Sequence, residues 1–349
     1  MKSIIELHCH LDGSLPKGIV SALMEHYPER VPVRLKHLLY LTEEERIKEL
    51  RKELQAPQNC KSLAEYLGKF DLPCALLQDD WSLQFATIGL LRELVLEGVK
   101  YVEIRFAPQL HSINVPEEEK FQYEANFLWS MIKARQLLPQ IECNFVLCTM
   151  RNLPDGKAGE RANQRTLRLA QEFLGRGVCA VDLAGAEARD ATSEFRKLFA
   201  MAREMKLPFT IHAGEAGTRD WRLESLKSAI EFGATRIGHG IALEHSQELR
   251  DICKANRIGI ECCPISNLQT KAVCGGVQYH PLPLFLSEGL MVSVNTDNRT
   301  VSNTNLSKEF ELLSQIGIGE ADQKQLVRNA IDSSFASELT KIGLRSLIK

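Results

Sequence analysis

The chain reads as an α/β protein: a closed (β/α)8 (TIM) barrel with extra helices inserted after the first strand. Three observations predict this. Short, apolar, β-rich runs occur eight times along the 349 residues. Many are nearly continuous in apolar residues, as parallel strands covered on both faces are. Stretches with helical periodicity separate them, and the length suits one elaborated barrel. An open doubly wound sheet is the other architecture that such alternation allows. No Gly-x-Gly-x-x-Gly follows a strand, which removes the usual dinucleotide support for that option.

The first run, Ile4–His10, ends in His8-Cys9-His10 and leads into Leu11-Asp12-Gly13-Ser14. Residues two apart on a strand face the same side, so His8 and His10 point together and Cys9 points away to pack. An isolated pair of this kind fits a hydrogen-bonded core as well as a metal site. The next run, Val99–Pro108, comes too late for one crossover, so residues from about 15 to 98 read as a helical insert. Within it, Thr42-Glu43-Glu44-Glu45 has capping-box spacing, followed by Ile47, Leu50 and Leu54 at helical intervals. A second stripe, Leu63, Tyr66, Leu67 and Phe70, is ordinary core by its pattern alone. An insert after the first strand nevertheless lies at the end of a barrel where chemistry occurs.

The remaining runs are Ile141–Arg151, Val178–Gly185, Pro208–Glu215, Thr235–Gly240, Arg257–Pro264 and Met291–Asp297. Between them, Phe195, Phe199 and Ala202 form one helical stripe, and Leu223, Leu226 and Ile230 another. There is no Gly/Ser- or Pro-rich linker, internal repeat or low-complexity tract. Residues 1–349 are therefore expected to form a single domain.

Composition narrows the function. Apolar residues make up 44%, and 43 basic against 45 acidic residues leave a net charge of −2. That balance gives no electrostatic reason to expect nucleic acid or an anionic membrane as partner. No run reaches the ~18 apolar residues of a membrane helix, and no signal peptide is visible. The ten cysteines form no C-x-x-C pair, and a large apolar core needs no disulfide framework. Reduced thiols and a cytoplasmic location are expected.

In a barrel, the C-terminal ends of the strands carry the chemistry. Here they bear His8 and His10, Asp182-Leu183-Ala184-Gly185, His212-Ala213-Gly214-Glu215, Gly238-His239-Gly240 and Asn295-Thr296-Asp297-Asn298. Four histidines on three strand ends, with Asp297 and Glu215, are hard to attribute to packing, because buried polar groups are costly unless paired or metal-bound. Imidazoles and a carboxylate without clustered thiolates suit zinc, and iron, nickel or manganese also accept such a set. His8, His10, His212 and Asp297 would be ligands, leaving Glu215 and His239 to move protons. That is the division of labour of metal-assisted hydrolysis.

These motifs, in this order, resemble the adenosine deaminases of the zinc-dependent amidohydrolase superfamily. The resemblance also includes Tyr101-Val102-Glu103-Ile104-Arg105, Cys263-Pro264-Ile265-Ser266-Asn267 and Asn329-Ala330-Ile331-Asp332-Ser333-Ser334-Phe335, and spans essentially the whole chain. It implies hydrolytic deamination of adenosine and 2′-deoxyadenosine to inosine and 2′-deoxyinosine plus ammonia, in purine salvage, with one Zn2+ per chain. His8, His10, His212 and Asp297 match the metal ligands. Glu215 matches the acid that protonates N1 of the purine. His239 matches the residue that orients or deprotonates the attacking water, and Asp297 also bonds that water. Asp12 would bond a ribose hydroxyl, and the Gly185 amide would meet N3. Leu63, Tyr66, Leu67 and Phe70 would form an apolar lid.

Two positions depart from the family pattern. Asn298 stands where an aspartate often bonds the purine N7, and its amide can donate at any pH. Ala186 stands where an acidic residue is common. Two other readings remain: a deaminase of another 6-aminopurine, such as adenine or a modified adenosine, and an inactive relative that only binds. The ligand set and acid are all present, which disfavours the second. The sequence leaves monomer or weak oligomer undecided.

Overall fold

The computed structural model describes residues 4–57, 60–151, 153 and 157–348. Its eight strands among these residues are β1 (Ile5–His10), β2 (Tyr101–Phe106), β3 (Glu142–Met150), β4 (Val178–Ala184), β5 (Thr210–Ala213), β6 (Arg236–His239), β7 (Gly259–Cys262) and β8 (Met291–Val294). They form two four-stranded ladders in sequence order, all parallel. The ladders meet at both seams. Val181 bridges to Phe209, and the Val181 amide donates to the Pro208 carbonyl at 3.0 Å. Cys9 bridges to Asp297; there the His10 amide donates to Asp297 O, and the Asp297 amide to His8 O, both at 2.8 Å. The result is the closed α/β barrel expected.

Each strand lies within its expected run, and several stop short at the C-terminal end. β5 ends before Gly214 and β8 before Asp297, residues at φ +78° and +57°. Left-handed backbone at Gly214 ends the β5 ladder, whereas Asp297 still bridges β1 before the chain turns, and both turns fall where the site residues begin.

Between β1 and β2 lie α1 (Lys17–His26), α2 (Glu43–Leu54), α3 (Leu63–Leu67), α4 (Asp71–Leu76) and α5 (Asp80–Glu97). Thr42 and Glu45 form the expected reciprocal capping box at α2. The Leu63–Phe70 stripe is not one helix. It breaks into α3 and a 3₁₀ turn, Gly68–Phe70, before α4. Gly68 is a poor helix former, and Pro73, which lacks an N–H, fits only the first turn of a new helix.

The barrel interior departs from the usual filling of branched apolar residues. Glu103 and Arg105 on β2, Asp182 on β4, Arg236 on β6 and Glu261 on β7 are all fully buried. Arg105 pairs with Asp182 at 2.9 Å and Glu261 at 2.8 Å; Arg236 pairs with Glu103 and Glu261, both at 2.6 Å. Two guanidiniums thus tie three carboxylates across the barrel beneath the strand ends. Burial pushes the Glu261 pKa up, and Arg105 and Arg236 outweigh it to hold the group well below its ordinary range.

Candidate active site

His8, His10, His212 and Asp297 converge at the strand ends. His10 Nε2 lies 3.3 Å from His212 Nε2. Asp297 Oδ1 lies 3.4 Å from His8 Nε2 and 3.5 Å from His10 Nε2. A tetrahedral ion with bonds of ~2.0–2.1 Å spaces its donors about 3.3–3.4 Å apart, so these three distances match the edges of such a site. His8 Nε2 is buried without a hydrogen-bond partner. Its Nδ1 faces Glu261 Oε2 at 2.7 Å, and His212 Nδ1 faces Asp182 Oδ2 at 2.9 Å. Both rings thus present a bare Nε2, the arrangement that carboxylate–histidine–metal triads use.

His8, His212, His239 and Asp297 also form a group with donor atoms within 4.8 Å of one another. His10 suits the fourth ligand position better than His239. The Nδ1 of His239 accepts the Asn267 amide at 2.9 Å, which leaves the ring proton on Nε2. Ser266 Oγ donates to Asp297 Oδ2 at 2.6 Å. Asp297 stays well below its ordinary range: burial pushes it up, and the imidazoles that face it, His8 first and then His239 and His10, outweigh that.

Glu215 sits across from this cluster, with its carboxyl 3.6 Å from His239 Nε2. Burial, and then the Asp297 charge, push its pKa up to about 8. A carboxylic acid raised in this way can serve as a proton donor near neutral pH. Burial holds His239 well below its ordinary value. His239 and Asp297 have φ of +63° and +57°. Both belong to the residue types that tolerate this region, which costs ordinary side chains about 1–3 kcal/mol.

A cavity of ≈ 220 Å³ opens beside these groups. It brings together Asp12, Gly185, Asn298, Leu63, Tyr66, Leu67 and Phe70 with His10, His212, Glu215, His239 and Asp297. Every position expected to meet substrate thus lines one pocket. Tyr66 is anchored by its hydroxyl to Ser302 Oγ at 2.6 Å, and Val301 packs under the same lid. Burial pushes the Asp12 pKa up to about 6. Gly13 has no room for a side chain, because a Cβ there would come 1.9 Å from Asn298 Oδ1. A groove of ≈ 570 Å³ lies beside Met150, and no histidine is among its described lining residues.

Several contributors were not legible as site residues. Glu261 orients His8, and Ser266 and Asn267 orient Asp297 and His239. Cys74 lines the pocket, with Sγ 3.7 Å from Asp12 Oδ2. Glu187, next to Ala186, accepts three consecutive backbone N–H groups, those of Gly214 at 2.7 Å and of Glu215 and Ala216 at 2.8 Å. The Arg151 guanidinium holds the His212 carbonyl at 2.8 Å. The end of β5 is thus gripped from both sides. The described cysteines are all free, and Cys9 is buried in the main core as expected.

Residues 4–349 match the adenosine deaminase family. The chain is 39% identical to the adenosine deaminase of Haemophilus ducreyi, over 99% of this chain and 95% of that protein. Among solved structures, it superposes on adenine deaminase from Arthrobacter aurescens with a TM-score of 0.79 and 25% identity, covering 99% and 98% of the two chains. An amidohydrolase from Burkholderia ambifaria, crystallised with bound zinc, shares the fold at a TM-score of 0.79 and 18% identity, covering 99% and 89%. No described helix is long and apolar enough to cross a membrane.

Proposed function

The chain belongs to the adenosine deaminase family and is an enzyme of that class, and from that premise we propose how its own residues deaminate adenosine and 2′-deoxyadenosine. The observation that carries the reading is Glu215, a buried acid with a raised pKa, facing the His8, His10, His212 and Asp297 cluster across one pocket.

His8, His10, His212 and Asp297 would hold one zinc ion. The thiolate-free donor set supports zinc, as does its presence in the Burkholderia fold neighbour. What a divalent metal held there would supply is Lewis acidity that brings the pKa of a site water toward neutrality. Glu215 gives its proton to N1, which makes C6 accept the nucleophile. His239, opposite Glu215, orients the attacking water, and Asp297 accepts a hydrogen bond from it. Water adds its oxygen at C6; one of its protons ends on the departing amino group and the other restores Glu215, so the C6–N bond breaks, ammonia leaves, and inosine keeps the proton on N1.

The Gly185 amide meets N3, and the Asn298 amide donates to N7. Asp12 takes a ribose hydroxyl, and the Leu63–Phe70 lid covers the sugar side. Among the described residues, this lining contains no lysine or arginine. The lid's Lys69 is engaged with the Lys52 carbonyl at 3.1 Å. A nucleoside therefore suits the pocket better than a nucleotide, whose phosphate needs cationic partners. We read residues 1–349 as one catalytic barrel with its insert forming part of the site, acting in purine salvage in the cytoplasm.

The test is ammonia release from adenosine, deoxyadenosine, adenine and adenosine monophosphate by the metal-analysed protein. The two nucleosides are expected to be the best substrates, with about one zinc per chain. Adenine or the monophosphate as much the best substrate would overturn the assignment.

A further inference from the structure

His239 Nε2 is the atom facing Glu215, and what it can do depends on whether it carries a proton. A chain of hydrogen bonds decides this, starting from a backbone amide outside the pocket. The Leu282 N–H donates to His280 Nδ1 at 3.1 Å. An accepting Nδ1 has no proton, so the His280 ring carries its proton on Nε2. That Nε2–H points at Asn267 Oδ1, 3.3 Å away. The Cys263 backbone N–H also donates to Asn267 Oδ1, at 3.2 Å. Two donors on the same atom fix the Asn267 amide, with oxygen toward His280 and nitrogen toward His239. Its Nδ2 then donates to His239 Nδ1 at 2.9 Å. His239 Nδ1 is thereby an acceptor, and the proton of the ring must sit on Nε2. His280, Asn267 and His239 are each almost fully buried, so water does not compete for these bonds.

We infer that His280 and Asn267 are positioning residues that hold His239 as its Nε2–H tautomer, so that His239 acts on the water or the developing charge as a hydrogen-bond donor rather than as a base. This rests on the function proposed above and refines one part of it. Because His239 Nε2 has no free lone pair, the proton leaving the attacking water would pass to the Asp297 carboxylate that accepts its hydrogen bond, and from there to the departing amino group. The arrangement inverts that of the serine-protease triad, where a carboxylate holds the histidine proton on Nδ1 and frees Nε2 as a base.

The test combines a tautomer readout with kinetics. Long-range 1H–15N correlation spectra of the metal-loaded, 15N-histidine-labelled protein report which His239 nitrogen is protonated. Asn267→Asp replaces the donor with an acceptor and forces the proton to Nδ1. His280→Phe removes the donor that fixes the amide, whereas His280→Gln retains one. We expect Nε2–H in the parent and in His280→Gln, and Nδ1–H in Asn267→Asp. In Asn267→Asp, kcat should fall roughly 10²–10⁴-fold, the range for a lost or misplaced proton-handling group. KM and metal content should stay within about threefold, a split that follows when the lost interaction belongs to the transition state. His280→Phe should lose part of kcat and His280→Gln should recover it. Nδ1–H in the parent, or an Asn267→Asp enzyme with unchanged kcat, would overturn the inference. Should Asn267→Asp not fold, the parent spectrum and the His280 pair decide. Nδ1–H in a protein that still deaminates adenosine refutes the relay alone. No release of ammonia from adenosine refutes the function while the tautomer stands on its spectrum.

Discussion

Glu261 Oε2 lies 2.7 Å from His8 Nδ1, a contact between residues 253 apart in sequence. It sets which nitrogen of His8 faces the cluster. The same carboxylate is paired with Arg105 and Arg236, so one side chain links the candidate metal site to the charge lattice of the barrel. Glu261→Gln should weaken metal affinity about 10–100-fold, the cost of losing a partner behind a ligand. It should also destabilise the fold by about 3–5 kcal/mol, because two buried guanidiniums lose a charge partner. Chelator competition and denaturant titration would measure these separately. Parental metal affinity in the variant would contradict the orienting role.

Glu187 holds the three amides around Glu215. Glu187→Gln keeps one oxygen and turns a donor against N–H groups, which shifts the turn. A shift of ~1 Å at a reacting group costs on the order of 100-fold. kcat for adenosine should fall by about that factor, with metal content unchanged. Loss of less than threefold would show that the turn holds itself.

Asn298 supplies its donor at any pH, whereas an aspartate donates only when protonated. In the parent, KM for adenosine should vary little with pH on account of this contact. In Asn298→Asp, KM should rise as the new carboxyl ionises. A superimposable pH–KM profile would remove Asn298 from substrate binding.

Glu309 is buried near the β8 end, accepting from Thr304 Oγ1 at 2.7 Å and the Ile265 amide at 3.0 Å. Burial pushes its pKa up to about 8. The folded protein therefore keeps a proton that the unfolded chain releases near pH 4.5. The stability it supports is full below that value and is lost as pH rises through about 8. Glu309→Gln mimics the protonated form and should flatten the fall in Tm between pH 5 and 8, read by calorimetry. An equally steep fall in the variant would contradict the assignment.

The strand ends were legible because apolar runs and the polar residues that stop them are local patterns. The ligand candidates, Glu215 and His239 all lay there. Glu261 was not legible, since one acid inside Gly259–Cys262 merely interrupts an apolar run, and its partner His8 comes from the opposite end of the chain. Glu187, beside Ala186, carries no local signal of its own. Its role depends on how the β4 and β5 loops meet, which no local spacing encodes. The Leu63–Phe70 stripe was visible, with Gly68 and Pro73 as the local signs of its break, but the anchoring of Tyr66 to Ser302 comes only with the fold. Ser266 and Asn267 were recognisable as a motif, and only the fold shows which side chain each one holds.

The most direct test of the central claim is ammonia release from adenosine by Glu215→Gln, measured beside the parent at matched metal content. Glutamine preserves the shape but has no proton to transfer to N1. The variant is expected to keep about one metal ion per chain and to lose nearly all turnover. Turnover near the parental rate would contradict the claim.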